Sequence, residues 1–300
     1  MKLAFIGIGV MGGPMAGHLA KAGHDVVVYN RSRSKAELWA AGNNGRVADT
    51  IAQAAEDREA IVLCVGADND VRGVLAEALP VLAAGAIIVD HTTTSARLAR
   101  EMSGVAAERG RAFLDAPVSG GEAGAKSGTL SVMVGGEAAA FGRMEPALSA
   151  YAKSTRLMGP SGAGQLTKMV NQICIAGAVQ GLAEAVAFAK AARLDADLVY
   201  EAISKGAAQS WQMDNRWATM AQGRFDFGFA VDWMRKDLGL VLEEARTNGS
   251  RVEITALIDQ FYAEVQAMGG RRWDTSSLAA RLLRPPSRRP GAAPPRGRNR

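Results

Sequence analysis

Cysteine is scarce in this sequence, and histidine is almost as rare. Only Cys64 and Cys174 occur among 300 residues, far too few for the disulfide scaffold of a small secreted protein. Each lies in an apolar segment, which predicts two buried free thiols in a reducing compartment. The three histidines, His18, His24 and His91, lack the mutual spacing of metal ligands. We therefore expect neither a disulfide framework nor a metal site.

Targeting and membrane-spanning segments are missing as well. The chain runs from Lys2 through a short apolar run into a glycine-rich loop, without the basic, apolar and small-residue regions of a signal peptide. No uninterrupted apolar stretch is long enough to cross a bilayer. We therefore expect a cytoplasmic protein with no membrane partner.

Acidic residues are absent from positions 284–300, which hold six arginines and five of the ten prolines. Without these arginines the formal net charge of +5 falls to about −1, so the rest of the chain is close to neutral. Proline excludes a helix in this segment. Clustered arginine attracts phosphate groups, but the composition is that of a solvated terminal extension. We expect a disordered Pro/Arg-rich tail and no nucleic-acid partner.

Strand and helix signals alternate through the first half of the sequence. With 48% hydrophobic and 22% charged residues, the chain is globular in composition and long enough for two domains. Strands are predicted at residues 2–6, 26–29, 60–65, 86–90, 111–116 and 129–134. The intervening segments are long enough for crossover helices. This predicts an α/β fold with a doubly wound, mostly parallel sheet.

A glycine motif follows the first predicted strand directly and opens a helix. It consists of Gly7, Ile8, Gly9, Val10, Met11 and Gly12. In such a turn Gly7 permits the tight bend, Gly9 leaves room for a pyrophosphate, and Gly12 lets the helix pack on the strand. The second strand at 26–29 completes the βαβ unit. The alternative is a merely structural turn, which would not require a strand, a helix and a second strand around it. We therefore predict a Rossmann dinucleotide site.

The tip of the second predicted strand bears on cofactor choice. An acid that would accept hydrogen bonds from the ribose of NAD is missing there, and Asp25 lies before the strand. The tip instead reads Asn30, Arg31, Ser32 and Arg33. Arginine can bind a 2′-phosphate bidentately and Ser32 can add a hydroxyl, unless the arginines are simply solvated loop charges. We predict that NADP is preferred and NAD possible.

Strand signals stop after Gly159. Residues 162–192 form an Ala-rich stretch of about 46 Å if it is one helix. Further helices are predicted near 196–205, 230–247 and 252–268. We expect a dinucleotide-binding domain at 1–160, an all-helical domain for substrate binding and oligomerisation at 161–283, and the tail at 284–300.

Polar residues in three other segments leave two interpretations open. The segment 115–121 presents Ser119 and backbone amides after a strand, which suits a carboxylate or a capped turn. Lys168, Asn171 and Gln172 share one face of the long helix, where the lysine is either solvated or buried with a lowered pKa. The third segment, 90–95, carries hydroxyls that could bind a carboxamide or cap a helix.

Taken together, four motifs resemble the β-hydroxyacid dehydrogenase family. They are GIGVMG at 7–12 with its preceding strand, DAPVSGG at 115–121, GAGQLTKMVNQ at 162–172 and KDL at 236–238. The likeness covers about residues 1–283 and implies the Rossmann domain followed by an all-α C-terminal domain. It also implies hydride transfer between NAD(P) and a small hydroxy acid of the 3-hydroxyisobutyrate type, or the reverse reduction of small aldehyde acids.

The resemblance assigns roles to individual residues. It implies that Lys168 is the catalytic acid–base group. Substrate-binding roles fall on Ser119, Gly120, Gly121, Asn171 and Gln172, and cofactor contacts on Val65, Thr93 and Lys236. Gln172 replaces a second asparagine found in many members, and Val65-Gly66 replaces a leucine-proline. The family's habit of forming dimers or tetramers implies a homo-oligomer that binds a small carboxylate substrate.

Three other functions fit parts of the pattern. 6-Phosphogluconate dehydrogenase would carry a histidine in place of Asn171 and a larger helical domain. Imine reductases generally lack a lysine at position 168. A redox-inactive nucleotide-binding module would have lost that lysine, which is present here.

Overall fold

A computed structural model describes residues 1–283 of the chain, and the predicted tail at 284–300 lies outside the described residues. The described chain forms two compact units. The first comprises Met1–Cys174 and Lys236–Ala256, and the second comprises Ile175–Arg235 and the described residues from Leu257 onwards. The division expected from the sequence, at residue 160, stays a prediction.

Nine strands form one sheet in the first unit. They are β1 (Lys2–Ile6), β2 (Asp25–Tyr29), β3 (Arg46–Val47), β4 (Ala60–Leu63), β5 (Ile87–Asp90), β6 (Ala112–Asp115), β7 (Val118–Ser119), β8 (Leu130–Gly135) and β9 (Ala152–Gly159). Their order is β3-β2-β1-β4-β5-β6-β8-β7, with β9 paired to β8. Strands β1 to β6 are parallel, β8 runs antiparallel to β6 and β7, and β9 is parallel to β8. The predicted mostly parallel sheet is confirmed.

Helices cover both faces of this sheet. Those before β9 are α1 (Gly12–Lys21), α2 (Arg33–Gly42), α3 (Ile51–Ala55), α4 (Asp68–Ala78), α5 (Ala96–Ala107), α6 (Gly121–Ser127) and α7 (Ala138–Leu148). Alternate residues of β1 point to opposite faces, so Leu3 and Phe5 join one buried layer with Met15, while Ala4 and Ile6 join the other. Burial on both faces explains why the central strands are apolar throughout.

All named elements after β9 are helical in the described residues. They are α8 (Ala163–Ala191), α9 (Ala196–Ile203), α10 (Trp211–Gln222), α11 (Val231–Asn248), α12 (Glu253–Ala267) and α13 (Leu278–Leu283), with a 3₁₀ turn at Thr275–Ser277. The second unit has its own core, in which Trp217, Met220, Tyr262 and Val265 are almost fully buried. This confirms the predicted all-α C-terminal region.

Helix α8 bears on two expectations, and one of them needs correction. The helix exposes Cys174, whereas Cys64 is half-buried, so the prediction of two buried thiols is wrong for Cys174. Position 174 lies one turn after Val170, which is 60% exposed, and apolar sequence neighbours do not determine which face a helical residue occupies. By length and composition α8 could also cross a membrane, although no uninterrupted apolar run was found. Core helices of globular proteins have the same properties, and 44% of its most apolar window is buried.

Candidate dinucleotide and substrate site

The glycine turn between β1 and α1 has the shape of a phosphate cradle. Gly7 has a φ of +99°, and a Cβ there would overlap the Cys64 carbonyl oxygen. A Cβ on Gly12 would overlap the Gly7 carbonyl oxygen, so both positions exclude larger residues. Gly9 by contrast faces open space. Close backbone contacts on the protein side and free space at the middle glycine fit a pyrophosphate at the helix N-terminus.

The loop after β2 is tied to the glycine turn. Asn30 Oδ1 accepts a hydrogen bond from the Ile8 amide at 3.0 Å, and Asn30 Nδ2 donates to the Ser32 carbonyl at 2.9 Å. Ser32 and Arg31 are exposed. The Asn30 bridge therefore places the end of β2 beside the phosphate cradle.

The two arginines of this loop differ in their partners. Arg33 donates to Glu37 at 2.7 Å and forms an ion pair with Asp49. Arg31 makes no hydrogen bond or ion pair within residues 1–283. Asp25 lies at the start of β2, paired with Arg46 at 2.7 Å, and this hydrogen bond lowers its pKa. The free cation at the loop is therefore Arg31, and Asp25 lies at the far end of the strand.

The loops after β4 and β5 are bonded to each other. The Val65 amide donates to Thr92 Oγ1 at 3.1 Å, and the Thr92 amide donates to the buried Asp90 Oδ1 at 2.9 Å. Lys236 Nζ donates to the Thr93 carbonyl at 2.6 Å and to the Gly66 carbonyl at 3.3 Å. Lys236, expected to contact the nicotinamide, thus joins the two loops that were expected to border it.

Asp115 connects the end of β6 to the start of α8. Its buried carboxylate accepts hydrogen bonds from the Gly162 amide at 2.8 Å and the Gln165 amide at 2.9 Å. Burial raises its pKa, while these amides act in the opposite direction. The residues just after Asp115 lead into β7, which ends at Ser119. One carboxylate therefore aligns the Ser119 segment with the helix that carries Lys168.

A chain of hydrogen bonds runs from Ser119 across the face of α8. Ser119 Oγ donates to Asn171 Oδ1 at 3.1 Å, and Asn171 Nδ2 donates to Gln172 Oε1 at 2.7 Å. Gln172 Nε2 donates to Asp237 Oδ2 at 2.7 Å, and Asp237 Oδ1 lies 3.2 Å from Lys236 Nζ. The structure thus brings together the predicted substrate-binding side chains Ser119, Asn171 and Gln172.

Lys168 is buried on the same helix face, with only 8% of its surface exposed. Its Nζ makes no hydrogen bond within the described part of the chain. Burial lowers its pKa to about 8, the Asp237 carboxylate acts to raise it, and the Lys236 ammonium acts to lower it. The sequence left open whether Lys168 is solvated or buried. In the structure it is buried, and its pKa is lowered. Proton exchange near neutral pH is therefore accessible to this amine.

Gly120 and Gly121 lie exposed at the start of α6, with φ angles of +131° and +62°. Their positive φ angles orient successive peptide groups as only glycine does readily. Both follow Ser119 directly, so the predicted substrate-binding segment is continuous and open to solvent.

Sequence reasoning missed several polar residues of this region. Asp237 was given no role beyond its place in the KDL motif, although it is only 2% exposed and bonded to Gln172. Gln165 was not singled out, although it is fully buried. Asp237 directly follows Lys236 in the sequence, and a carboxylate next to a lysine gives no sign that it is buried. For Gln165 a signal existed: it lies one turn before Lys168, on the same helix face.

Two family models match the chain. The family described as the NAD binding domain of 6-phosphogluconate dehydrogenase matches residues 2–159. The family described as "NAD-binding of NADP-dependent 3-hydroxyisobutyrate dehydrogenase" matches residues 162–282. Together with the glycine cradle, they define an NAD(P)-dependent oxidoreductase.

Individual proteins are similar over nearly the whole chain. An oxidoreductase of Shewanella frigidimarina described as uncharacterized is 60% identical, covering 94% of this chain and 98% of that protein. The 2-hydroxy-3-oxopropionate reductase of Escherichia coli is 36% identical, covering 94% and 97%. The structure of Mycobacterium tuberculosis 3-hydroxyisobutyrate dehydrogenase with L-serine is 28% identical, with a TM-score of 0.86, covering 94% and 99%. The chain belongs to the β-hydroxyacid dehydrogenase family.

Proposed function

We propose that this enzyme transfers a hydride between NADP and a small 3-hydroxy acid, with 3-hydroxyisobutyrate as the first candidate. The observation that carries the proposal is the buried Lys168 on the helix face whose Asn171 is hydrogen-bonded to Ser119. Oxidation of a hydroxy acid needs a proton acceptor near the carbinol and donors for the carboxylate. The names of the matched family model and of the Mycobacterium tuberculosis structure support this substrate class.

In the proposed site, the substrate carboxylate accepts hydrogen bonds from the Gly120 and Gly121 amides, from Asn171 Nδ2 and from Ser119 Oγ, whose proton turns from Asn171 Oδ1 to the carboxylate. Gln172 orients Asn171 through the hydrogen bond between their side-chain amides. The neutral amine of Lys168 accepts the hydroxyl proton during oxidation. In the reverse direction its ammonium form donates that proton to the carbonyl oxygen.

The dinucleotide contacts we propose are made by the glycine turn, the loop after β2 and the loops after β4 and β5. Residues 7–12 hold the pyrophosphate, residues 30–32 the adenosine ribose, and Val65, Thr93 and Lys236 border the nicotinamide. When bound, the nicotinamide accepts or supplies the hydride. The protein holds the reacting carbon in position and excludes competing geometries.

NADP preference rests on Arg31. It is exposed beside the phosphate cradle and unpaired in the described chain, whereas a 2′-phosphate is a bidentate acceptor for guanidinium. We expect a preference of about 10- to 100-fold in kcat/KM, which corresponds to roughly 1.5 to 3 kcal/mol. Equal or better kcat/KM with NAD would contradict the proposal.

Two arginine variants test this preference. Arg31→Ala should raise the KM for NADP about tenfold or more and leave the KM for NAD nearly unchanged. Arg33→Ala is the matched control, because Arg33 is already engaged by Glu37 and Asp49. Steady-state kinetics with both dinucleotides measure the outcome.

The substrate is tested with a panel of 3-hydroxyisobutyrate, glycerate, 4-hydroxybutyrate, 3-hydroxypropionate and serine, each with NAD and NADP, followed at 340 nm. We expect the highest kcat/KM for 3-hydroxyisobutyrate with NADP. The similarity to the Escherichia coli reductase favours a second candidate, reduction of small aldehyde acids such as tartronate semialdehyde. Turnover of aldehyde acids but not of 3-hydroxyisobutyrate would select it.

We also propose that the enzyme is a homodimer or homotetramer. Phe188, Leu194 and Leu198 of the second unit are 72%, 52% and 65% exposed, and their burial against another copy of the chain would stabilise an oligomer. Its cytoplasmic location stays a prediction.

A further inference from the structure

In the short segment Thr92–Thr94 after β5, four of the six backbone polar groups are hydrogen-bonded to other parts of the protein. The Thr92 amide is bonded to Asp90, the Thr92 carbonyl to Gln165 and the Thr93 carbonyl to Lys236. The Thr94 amide is bonded to Gln165 as well. The half-buried residue Thr93 is therefore fixed from both sides.

Gln165 makes both of the flanking contacts with one side chain. Its Nε2 donates to the Thr92 carbonyl at 2.7 Å, and its Oε1 accepts from the Thr94 amide at 3.1 Å. The side chain has no exposed surface. A buried amide whose two ends bind the peptide groups on either side of one residue sets the position of that residue closely.

Gln165 also has a fixed relation to the proton-transfer group. It lies in the first turn of α8, three residues before Lys168, so both occupy one face of the helix. Its own amide is bonded to Asp115. A rigid α-helix thus separates the Thr93 contact from Lys168 by a single turn.

We propose that Gln165 is a positioning residue for hydride transfer, which sets the distance between the Thr93 segment and the Lys168 amine. The inference rests on the proposed roles of Thr93 and Lys168 at the nicotinamide and the substrate hydroxyl. Hydride transfer is sensitive to such distances, because a misplacement of about 1 Å can cost on the order of 100-fold in rate. Gln165 itself touches neither reactant.

Gln165→Met tests the proposal, since it keeps the length and volume of the side chain and removes both hydrogen bonds. Gln180→Met is the matched control: Gln180 is also a buried glutamine of α8, but its amide is bonded to Glu184 of the same helix. We expect Gln165→Met to lower kcat by about 10- to 100-fold. The substrate KM should stay within about threefold, because Ser119 and Asn171 are bonded independently of Gln165.

Two further readouts separate positioning from a purely structural role. The primary deuterium isotope effect on kcat should increase in Gln165→Met, because hydride transfer becomes rate-limiting. The fluorescence of bound NADPH should decrease, because the nicotinamide is held less firmly, while the Kd of NADPH changes by less than about threefold. This second measurement needs no turnover, so it tests Gln165 even if no hydroxy acid proves to be a substrate.

A Gln165→Met variant with the kcat, isotope effect and NADPH fluorescence of Gln180→Met would overturn the proposal. So would a variant whose only change is a lower melting temperature. If Gln165→Met does not fold, Gln165→Glu gives the same readouts, since it keeps the acceptor for the Thr94 amide and loses the donor to Thr92. Wild-type kinetics for Gln165→Glu would then overturn the proposal.

Discussion

A lysine side chain is rarely buried without a partner for its charge, and Lys168 is buried with none in hydrogen-bonding distance among residues 1–283. The cost of burying the ammonium lowers its pKa to about 8. At neutral pH an amine with this pKa is mostly protonated but keeps a neutral fraction of about a tenth, so it can both donate and accept a proton. That property suits an acid–base catalyst better than a structural residue.

Lys168→Ala should lower kcat at least 100-fold and leave the Kd of NADPH nearly unchanged, since general acid–base catalysis contributes about 10² to 10⁴. Stopped-flow or steady-state rates measure kcat, and a fluorescence titration measures the Kd of NADPH. Asn171→Ala is a useful comparison, because it should raise the substrate KM more than it lowers kcat. A Lys168→Ala enzyme with a tenth of the wild-type kcat would remove Lys168 from the mechanism.

The pH dependence should report the same amine. Oxidation needs the neutral form, so kcat/KM should rise about tenfold per pH unit below 8 and level off above it. Reduction needs the ammonium form, so its kcat/KM should fall as the pH rises above about 8. Opposite slopes around one pKa are expected from rate profiles in both directions. Profiles with the same slope in both directions would assign the titration to another group.

Individual residues also show which features of the site could be predicted from the sequence and which could not. The family resemblance assigned Ser119 and Asn171, which are 52 residues apart, to substrate binding, and in the structure their side chains are hydrogen-bonded to each other. The buried carboxylates Asp237 and Asp90 gave no such signal. A carboxylate beside a lysine, or before a histidine, usually lies in solvent, and only the tertiary fold reveals that it is enclosed.

At the scale of elements, α8 begins at a buried junction that one carboxylate satisfies. Asp115→Ala would leave the Gly162 and Gln165 amides without their acceptor in a buried position. An unsatisfied buried donor costs about 1 to 3 kcal/mol, so we expect a loss of about 2 to 5 kcal/mol in the free energy of unfolding. Urea unfolding followed by circular dichroism measures it.

The control is Asp195→Ala at the exposed start of α9. Asp195 likewise accepts from two backbone amides, those of Asp197 and Leu198, but water can replace it. We expect a loss of only about 1 kcal/mol there. Comparable losses in the two variants would show that burial of the Asp115 junction adds nothing to stability.

The elements that escaped prediction share a physical reason. Strands β3 and β7 contain two residues each, too few for any alternation to be seen. Strand β9 pairs only with β8 and carries polar residues such as Lys153 and Arg156. Apolar elements such as β1 and α8 were located within one residue at each end, because a run of apolar residues gives the clearest sequence signal.

Helix α10 is a different case, because its signals were present. Ser210 caps its first turn by accepting from the Met213 amide, and Gly223 ends it in the left-handed conformation. Both are ordinary helix boundary residues. These two boundary residues enclose a stretch whose Met213, Trp217 and Met220 are buried at helical spacing, so the sequence could have predicted this helix.

At the scale of the whole molecule, the exposed apolar side chains of the second unit lead to a test of oligomeric state. Phe188→Glu places a charge where we propose that another copy packs, so the molar mass by light scattering should fall to that of a smaller assembly. Lys190→Gln, an exposed position on another face of the same helix, should leave the mass unchanged. A monomeric wild-type enzyme would contradict the proposal outright.

The two compact units are joined within helices and not by loops. The chain passes from one unit to the other at residues 174/175, 235/236 and 256/257, and these positions lie inside α8, α11 and α12. Domain boundaries more often lie in exposed linkers, which are also the usual sites of nicking. A protease added to the native enzyme will therefore find its accessible bonds in segments such as 204–210, within a unit. The fragments it releases will not correspond to domains, and a separately folding nucleotide-binding half will have to be obtained by redesigning the chain.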